Sequence, residues 1–136
     1  MKILIICSKA FYDRIEPIKK KLEDMGHIIE LPNSYDNPGA EKEAWDLGNE
    51  AHSEFKKRMF KMSAERIATM DAVLTLNFDK NGKKNYIGGA TFLELYEAFM
   101  KGKKIYMYNL IPEGMLYDEI PGFSPIVING NLDLVK

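Results

Sequence analysis

Glu94 is the residue whose type and surroundings point most directly to chemistry. It lies in an apolar stretch, TFLELY at residues 91–96, where an ionised carboxylate is costly unless it is paired or hydrogen-bonded. Two interpretations are open. Thr91-x-x-Glu94 matches a capping box, in which Glu94 accepts a hydrogen bond from the backbone N–H of Thr91 at a helix start. Alternatively, Glu94 faces a cleft and acts as a nucleophile or general base.

A polar, glycine-containing segment at residues 78–89 precedes this stretch and ends in Gly88-Gly89. Two glycines let a ligand approach the backbone, and the free N–H groups of a helix start favour an anion or a polar oxygen. The same glycines also suit a plain sharp turn. The aromatic residues Phe11, Tyr35 and Tyr86 lie in or near the loops of this region, where they either stack on a flat heterocycle or pack in the core.

The remaining reactive residue types show no metal or redox pattern. Cys7 is the only cysteine, so we expect a small buried residue and no internal disulfide. His27 and His52 lack the spacing of metal ligands. No phosphate-loop, dinucleotide-binding or nucleophile-elbow motif occurs. We therefore expect no metal site and no cofactor.

Short apolar runs and helical patterns alternate along the chain. The runs at 2–7, 27–31, 71–76, 104–108 and 125–128 predict strands buried on both faces. Helical spacing at 11–25 predicts a helix that starts or kinks near Pro17. Residues 40–70 are helical, with a weak point at Gly48-Asn49 that allows two helices. Residues 91–100 are apolar on nearly every side, which predicts burial.

This alternation predicts the fold class and the place of a site. We expect one α/β domain over residues 1–136, doubly wound and flavodoxin-like or Rossmann-like. Its sheet is mostly parallel, with about five strands and helices on both faces. Ligands of such sheets bind beyond the carboxyl ends of the strands. The loops at 8–11, 32–39, 77–90 and 109–114 are therefore candidates, and 77–90 carries the most polar chemistry.

The charge balance excludes some partners. The chain has 19 Lys and Arg against 20 Asp and Glu, which supplies no general drive toward nucleic acid or an anionic membrane. Its apolar fraction of 46% is enough for a core. The apolar run near the N-terminus is too short for a signal-peptide core or a membrane span. We expect a cytoplasmic protein without nucleic-acid or membrane partners.

The segment from Gly88 to Leu95 resembles the nucleoside 2-deoxyribosyltransferase-like superfamily, which includes transferases and nucleotide N-glycosidases. Further matching points are the strand at 71–76, Ala98, the Gly-Lys turn at 102–104, and the opening with Ser8 after a strand. The Asn-Tyr-Ile-Gly-Gly segment at 85–89 is similar to microbial members of this group. The resemblance runs from the first predicted strand to the fourth.

The resemblance implies a retaining mechanism in which Glu94 attacks C1′ of a nucleoside or nucleotide. Ser8 and the backbone at Gly88-Gly89 would hold a sugar hydroxyl or a 5′-phosphate. Family enzymes often carry an Asp six residues before the Glu, a position that Gly88 occupies here. Asp79 and Asn85 are the candidates to supply the missing groups.

Two functions therefore remain open. The first is an N-glycosidase or deoxyribosyltransferase acting on a small nucleoside or nucleotide. The second is a non-catalytic nucleotide-binding or sensing module, in which Glu94 is only a helix cap. The Met-rich segment at 40–70 carries more apolar surface than one face of a small sheet needs, and relatives of the group are commonly oligomeric. We therefore also expect a homodimer or larger assembly.

Overall fold

A five-stranded parallel sheet organises the computed structural model, which describes residues 1–136. The strands are β1 (Lys2–Ile6), β2 (Ile28–Glu30), β3 (Ala72–Thr75), β4 (Lys104–Met107) and β5 (Ile126–Val127). Their order in the sheet is β2-β1-β3-β4-β5, and every neighbouring pair is parallel. This confirms the predicted doubly wound α/β class.

Helices cover both faces of the sheet. They are α1 (Ile15–Asp24), α2 (Ala40–Asp46), α3 (Asn49–Ala68) and α4 (Gly89–Met100). Leu4 and Ile6 of β1 pack with α3 and α4, whereas Ile3 and Ile5 pack with α1 on the opposite face. This alternation follows from the period of two along a strand. No helix is long and apolar enough to span a bilayer.

The helix start near Pro17 and the helix break at Gly48 both occur at the predicted positions. Pro17 is the third residue of α1, in the first turn, where its missing N–H has no intrahelical partner to lose. A short 3₁₀ turn, Lys9–Arg14, occupies the chain before it. Gly48 has φ 118° and separates α2 from α3. Because side chains disfavour that backbone conformation, glycine allows the break there.

The prediction that α4 is buried on nearly every side is wrong. Only Thr91, Leu95 and Ala98 of this helix are buried. The helix packs on β3 and β4 and beside α3. Its outer side is covered only in part, by Phe123 of the 3₁₀ turn Ile120–Phe123. Four large apolar side chains are consequently about half exposed: Leu93, Tyr96, Phe99 and Met100.

Candidate active site

A cavity of about 270 Å³ lies beyond the carboxyl ends of β1 and β2, beside the start of α4. Three of the four predicted loops contribute to its wall, whereas the loop at 109–114 does not. Helix α3 forms another side with Phe55, Met59, Phe60 and Ser63. The volume is near the small end of ligand pockets, about 300 to 1,000 Å³. The cavity is therefore sized for a small molecule.

The carboxylate of Glu94 faces this cavity and does not cap its own helix. Helix α4 begins at Gly89 with Gly88 as its N-cap, so Thr91 lies inside the first turn. Glu94 Oε2 instead accepts a hydrogen bond from Ser63 Oγ at 3.0 Å. The capping-box interpretation is therefore wrong. Its physical reason is that the extended backbone of Gly88 starts the helix three residues earlier than the motif requires.

The surroundings of Glu94 place its titration near neutrality. Burial raises the pKa of Glu94 from its model-peptide value of 4.5 to about 7. The hydrogen bond from Ser63 and the positive charges of Arg66 and Lys56 oppose this shift. Both protonation states are thus populated at neutral pH. A carboxyl group with such a pKa in a cavity is typical of functional sites.

Two neutral donors share the cavity with Glu94. Burial, with a smaller contribution from the charge of Glu94, raises the pKa of the Cys7 thiol to about 12. Burial also raises the pKa of Tyr12, with further contributions from Cys7 and Glu94. Both groups therefore keep their protons at neutral pH, and both line the cavity. Cys7 is buried, as its single occurrence in an apolar strand suggested.

Cationic and amide groups form a second side of the cavity. Lys80 Nζ donates to Ser8 Oγ at 3.4 Å and lies 4.6 Å from the centre of the Tyr86 ring. Gly89 is the first residue of α4 and lines the cavity. The first backbone N–H groups of a helix have no intrahelical acceptor. This side therefore suits an anion or a hydroxyl-rich group.

A carboxylate on α2 is already paired within the protein. Glu41 lines the cavity and accepts a hydrogen bond from His52 Nε2 at 2.8 Å. Lys56 Nζ lies 3.7 Å from the same oxygen. The hydrogen bond to His52 is the main cause that lowers the pKa of Glu41. Glu41 is thus held as a carboxylate, in contrast to Glu94.

Five of the candidate site residues come together around the cavity. They are Ser8, Tyr86, Gly88, Gly89 and Glu94. A Cβ atom at position 88 would lie 3.2 Å from the hydroxyl of Tyr86, so the absence of a side chain at Gly88 lets the tyrosine approach. The structure gives these residues a common location.

The two other aromatic candidates do not line the cavity. Phe11 is 4% exposed and packs edge-to-face on Phe78, with 5.4 Å between ring centres. Tyr35 packs against Tyr12 at 5.6 Å. The prediction that these two rings bind a ligand is therefore corrected. Phe11 packs in the hydrophobic core and Tyr35 packs at its edge.

Asp79 and Asn85 also lie outside the cavity. Asp79 is exposed, and its Oδ1 accepts the backbone N–H of Asn85 at 3.0 Å. Asn85 has φ 54°, a left-handed conformation that asparagine tolerates better than most residues. The pair therefore stabilises the turn of this loop, and neither residue supplies the group missing at Gly88.

The sequence interpretation overlooked the contribution of α3. Ser63 lies four residues after Met59 and eight after Phe55, on the same face of the helix, and is 7% exposed. A polar residue within an apolar helical face was the available signal. Asn33 was overlooked as well, although it belongs to one of the candidate loops and lines the cavity.

The fold is shared with a protein of known structure. No family model matches the chain, and no curated protein matches its sequence. The CMP N-glycosidase BcmB of Clostridium botulinum superposes with a TM-score of 0.57 at 15% identity. The match covers 99% of this chain and 98% of that chain. It therefore shows a common fold over the whole length of both chains.

Proposed function

We propose that this protein cleaves, or transfers across, the N-glycosidic bond of a nucleoside or nucleotide, with Glu94 as nucleophile. The observation that carries the proposal is a cavity-facing carboxylate with one oxygen bound by Ser63 and no protein partner on the other. The shared fold with a CMP N-glycosidase supports the same reaction class. Fold alone does not imply function, so the proposal depends on the site.

In the proposed reaction, one oxygen of ionised Glu94 attacks C1′ of the sugar. The bond from C1′ to the base nitrogen breaks, and its electron pair leaves with the base, which takes up a proton. The product is a glycosyl ester of Glu94 formed through an oxocarbenium-like transition state. Water or the nitrogen of a second base then attacks C1′ and releases the carboxylate. Two displacements give retention at C1′.

The two sides of the cavity suggest how a substrate lies. Ser8, Lys80 and the backbone at Gly89 would hold a 5′-phosphate or sugar hydroxyls. On the side formed by α3, Phe60 offers aromatic surface for a flat base, whereas Tyr86 lies beside Lys80 at the first end. Tyr12 keeps its proton at neutral pH and is a candidate hydrogen-bond donor to the leaving base, while solvent supplies the proton that the base takes up. Glu94 would then face the sugar between these ends.

The proposal is tested by measuring base release from a panel of nucleosides and nucleoside monophosphates by liquid chromatography. We expect release from at least one monophosphate, and the same compound should raise the melting temperature because it binds the folded state. Substitution Lys80→Met should raise the KM for that monophosphate roughly tenfold, since a charge-assisted contact is lost.

Lys84→Met is the matched control, because Lys84 is exposed on the same loop and does not line the cavity. Its KM should equal that of the unmodified protein. Binding without base release from any compound would favour a non-catalytic nucleotide-binding module. If no compound in the panel binds and none releases its base, both functions are excluded.

We also propose that the protein forms a homodimer or larger assembly. The support is exposed apolar surface on the predicted segment and on α4. Trp45, Leu47 and Met62 are each at least 38% exposed, and α4 adds Tyr96 and Met100. Large apolar side chains exposed on several helices are a feature of interaction surfaces. Light scattering should give at least twice the 15.6 kDa of one chain. Particles of single-chain mass at high concentration would contradict this.

A further inference from the structure

Three polar side chains form a row of hydrogen bonds that ends on Glu94. Arg66 Nη1 donates to Asn33 Oδ1 at 2.7 Å. Asn33 Nδ2 donates to Ser63 Oγ at 2.8 Å, and Ser63 Oγ donates to Glu94 Oε2 at 3.0 Å. The row joins the loop after β2, helix α3 and helix α4. None of these partners is adjacent to Glu94 in the sequence.

The chemistry of the donors determines the direction of every bond in the row. A guanidinium only donates, so the Asn33 atom facing Arg66 must be the amide oxygen. The amide nitrogen then faces Ser63 and uses Ser63 Oγ as an acceptor. The single hydroxyl proton of Ser63 is left for Glu94 Oε2. The other acceptor within reach of the Ser63 hydroxyl is the carbonyl of Met59, four residues earlier on the helix. This carbonyl already accepts a hydrogen bond from Asn33 Nδ2 at 3.3 Å.

The far end of the row is anchored to the sheet. Arg66 Nη2 donates to the carbonyl of Leu31 at 2.7 Å and to Glu30 Oε1 at 3.2 Å. Glu30 is the last residue of β2. Because planar guanidinium donors have a fixed geometry, Arg66 holds the Asn33 amide in one orientation. Ser63 is 7% exposed, so water does not readily replace it.

The free oxygen of Glu94 is thereby distinguished from the bound one. Oε1 has no hydrogen-bond partner in the protein. The one enclosed side-chain oxygen or nitrogen without a partner is Thr75 Oγ1. Oε1 is therefore not fully enclosed. Glu94 borders two spaces, the cavity and a neighbouring pocket between α3 and α4. A substrate atom can approach this oxygen without breaking a protein hydrogen bond.

We propose that Arg66 and Asn33, acting through Ser63, are positioning residues that hold Oε2 as an acceptor and present Oε1 as the attacking oxygen. This inference rests on the proposed function for the nucleophilic role of Glu94. The row also favours the ionised form of Glu94, since a hydroxyl that must donate stabilises a carboxylate. Arg66 contributes to orientation without contacting the substrate.

The first test measures the titration of Glu94 by NMR of its side-chain carboxyl carbon, without any substrate. Ser63→Ala removes the donor and should raise the midpoint by about one pH unit. Asn33→Ala should raise it too, because the Ser63 proton then turns to the Met59 carbonyl. Ser63→Thr keeps the hydroxyl and should restore the original midpoint. Ser53→Ala, at an exposed position on α3, is the matched control and should change nothing.

All other ionisable groups around Glu94 are retained in these variants, so the shift reports the row. These groups lie at the end of β1, on the 3₁₀ turn, and on helix α3: Cys7, Tyr12, Lys56 and Arg66. The proposal is overturned if Ser63→Ala raises the midpoint of the Glu94 titration and Asn33→Ala leaves it unchanged. In that case only the hydrogen bond from Ser63 acts on Glu94. If Ser63→Ala does not fold, as judged by circular dichroism, the Asn33→Ala titration decides alone.

The second test measures base release at pH 9, where Glu94 is ionised in every variant. We expect kcat of Ser63→Ala to fall about tenfold or more with KM within about threefold, because orientation affects the attack more than binding. Unchanged kcat would overturn the orienting role. Absence of base release in the unmodified protein would reject the proposed function, while the titration would still decide whether the row acts on Glu94.

Discussion

Replacement of Glu94 by glutamine should abolish base release while the fold and ligand binding remain. A neutral amide is a far poorer nucleophile than a carboxylate, so we expect kcat to fall at least roughly 10³-fold. Glutamine keeps an oxygen that accepts the hydrogen bond from Ser63, and it is close to glutamate in volume. The measurement is single-turnover base release, with ligand binding followed separately by thermal shift.

The same substitution should stabilise the protein above pH 7. Burial raises the pKa of Glu94 to about 7, so its ionised form is destabilising in the folded state. Removal of that charge should increase the free energy of unfolding at pH 8 by about 2 kcal/mol. For a chain of this size, the melting temperature should rise by roughly 6 °C. A catalytic residue that destabilises its own fold is a known trade-off.

Glu97→Gln is the matched control on the same helix. Glu97 forms an ion pair with Lys101 on the surface of α4, and such pairs contribute about 0 to 1 kcal/mol. Its base-release rate should stay within about twofold of the unmodified protein. Glu97 does not line the cavity beside Ser8 and Gly89, although it borders the neighbouring pocket between α3 and α4. An equal rate in Glu94→Gln would reject Glu94 as the nucleophile.

The rate of base release should rise with pH until Glu94 has lost its proton. Nucleophilic attack requires the carboxylate, and the pKa of Glu94 is about 7. Well below that value, kcat/KM should increase about tenfold per pH unit. Between pH 5 and 7 the increase should be about 50-fold, because half of Glu94 is ionised at its pKa, and the rate should level off above pH 8. The measurement is a pH profile with a substrate whose own groups do not titrate in this range. A rate that falls through pH 7 would instead assign Glu94 the role of a general acid.

Stability should change in the opposite direction over the same range. The pKa of Glu94 is about 7 in the folded protein, above its ordinary value of 4.5, so the folded state binds more protons between these values. The free energy of unfolding should therefore decrease as the pH rises from 4.5 to 7, by an amount on the order of 2 kcal/mol. In Glu94→Gln this contribution should be absent. Urea unfolding at several pH values gives the free energy of unfolding of both proteins. If this free energy changes with pH equally in both, the assignment of Glu94 as a buried carboxyl group is contradicted.

The sequence by itself was sufficient for the architecture. Apolar runs such as 2–7 and 71–76 are short and uninterrupted because parallel strands are covered on both faces. Gly48 marked the break between α2 and α3, since its left-handed backbone excludes most side chains. Sheet topology then placed the cavity, because the carboxyl ends of parallel strands share one edge.

Only the tertiary structure decided what Glu94 contacts. Thr91-x-x-Glu94 satisfies the local pattern of a capping box, yet the hydrogen bond comes from Ser63, 31 residues earlier in the chain. The row from Arg66 through Asn33 likewise depends on the packing of α3 beside β2. Hydrogen-bond partners distant in sequence carry no local periodicity, so pattern reasoning could not find them. The exposed side of α4 has the same origin, because an apolar composition does not show which neighbours exist to cover it.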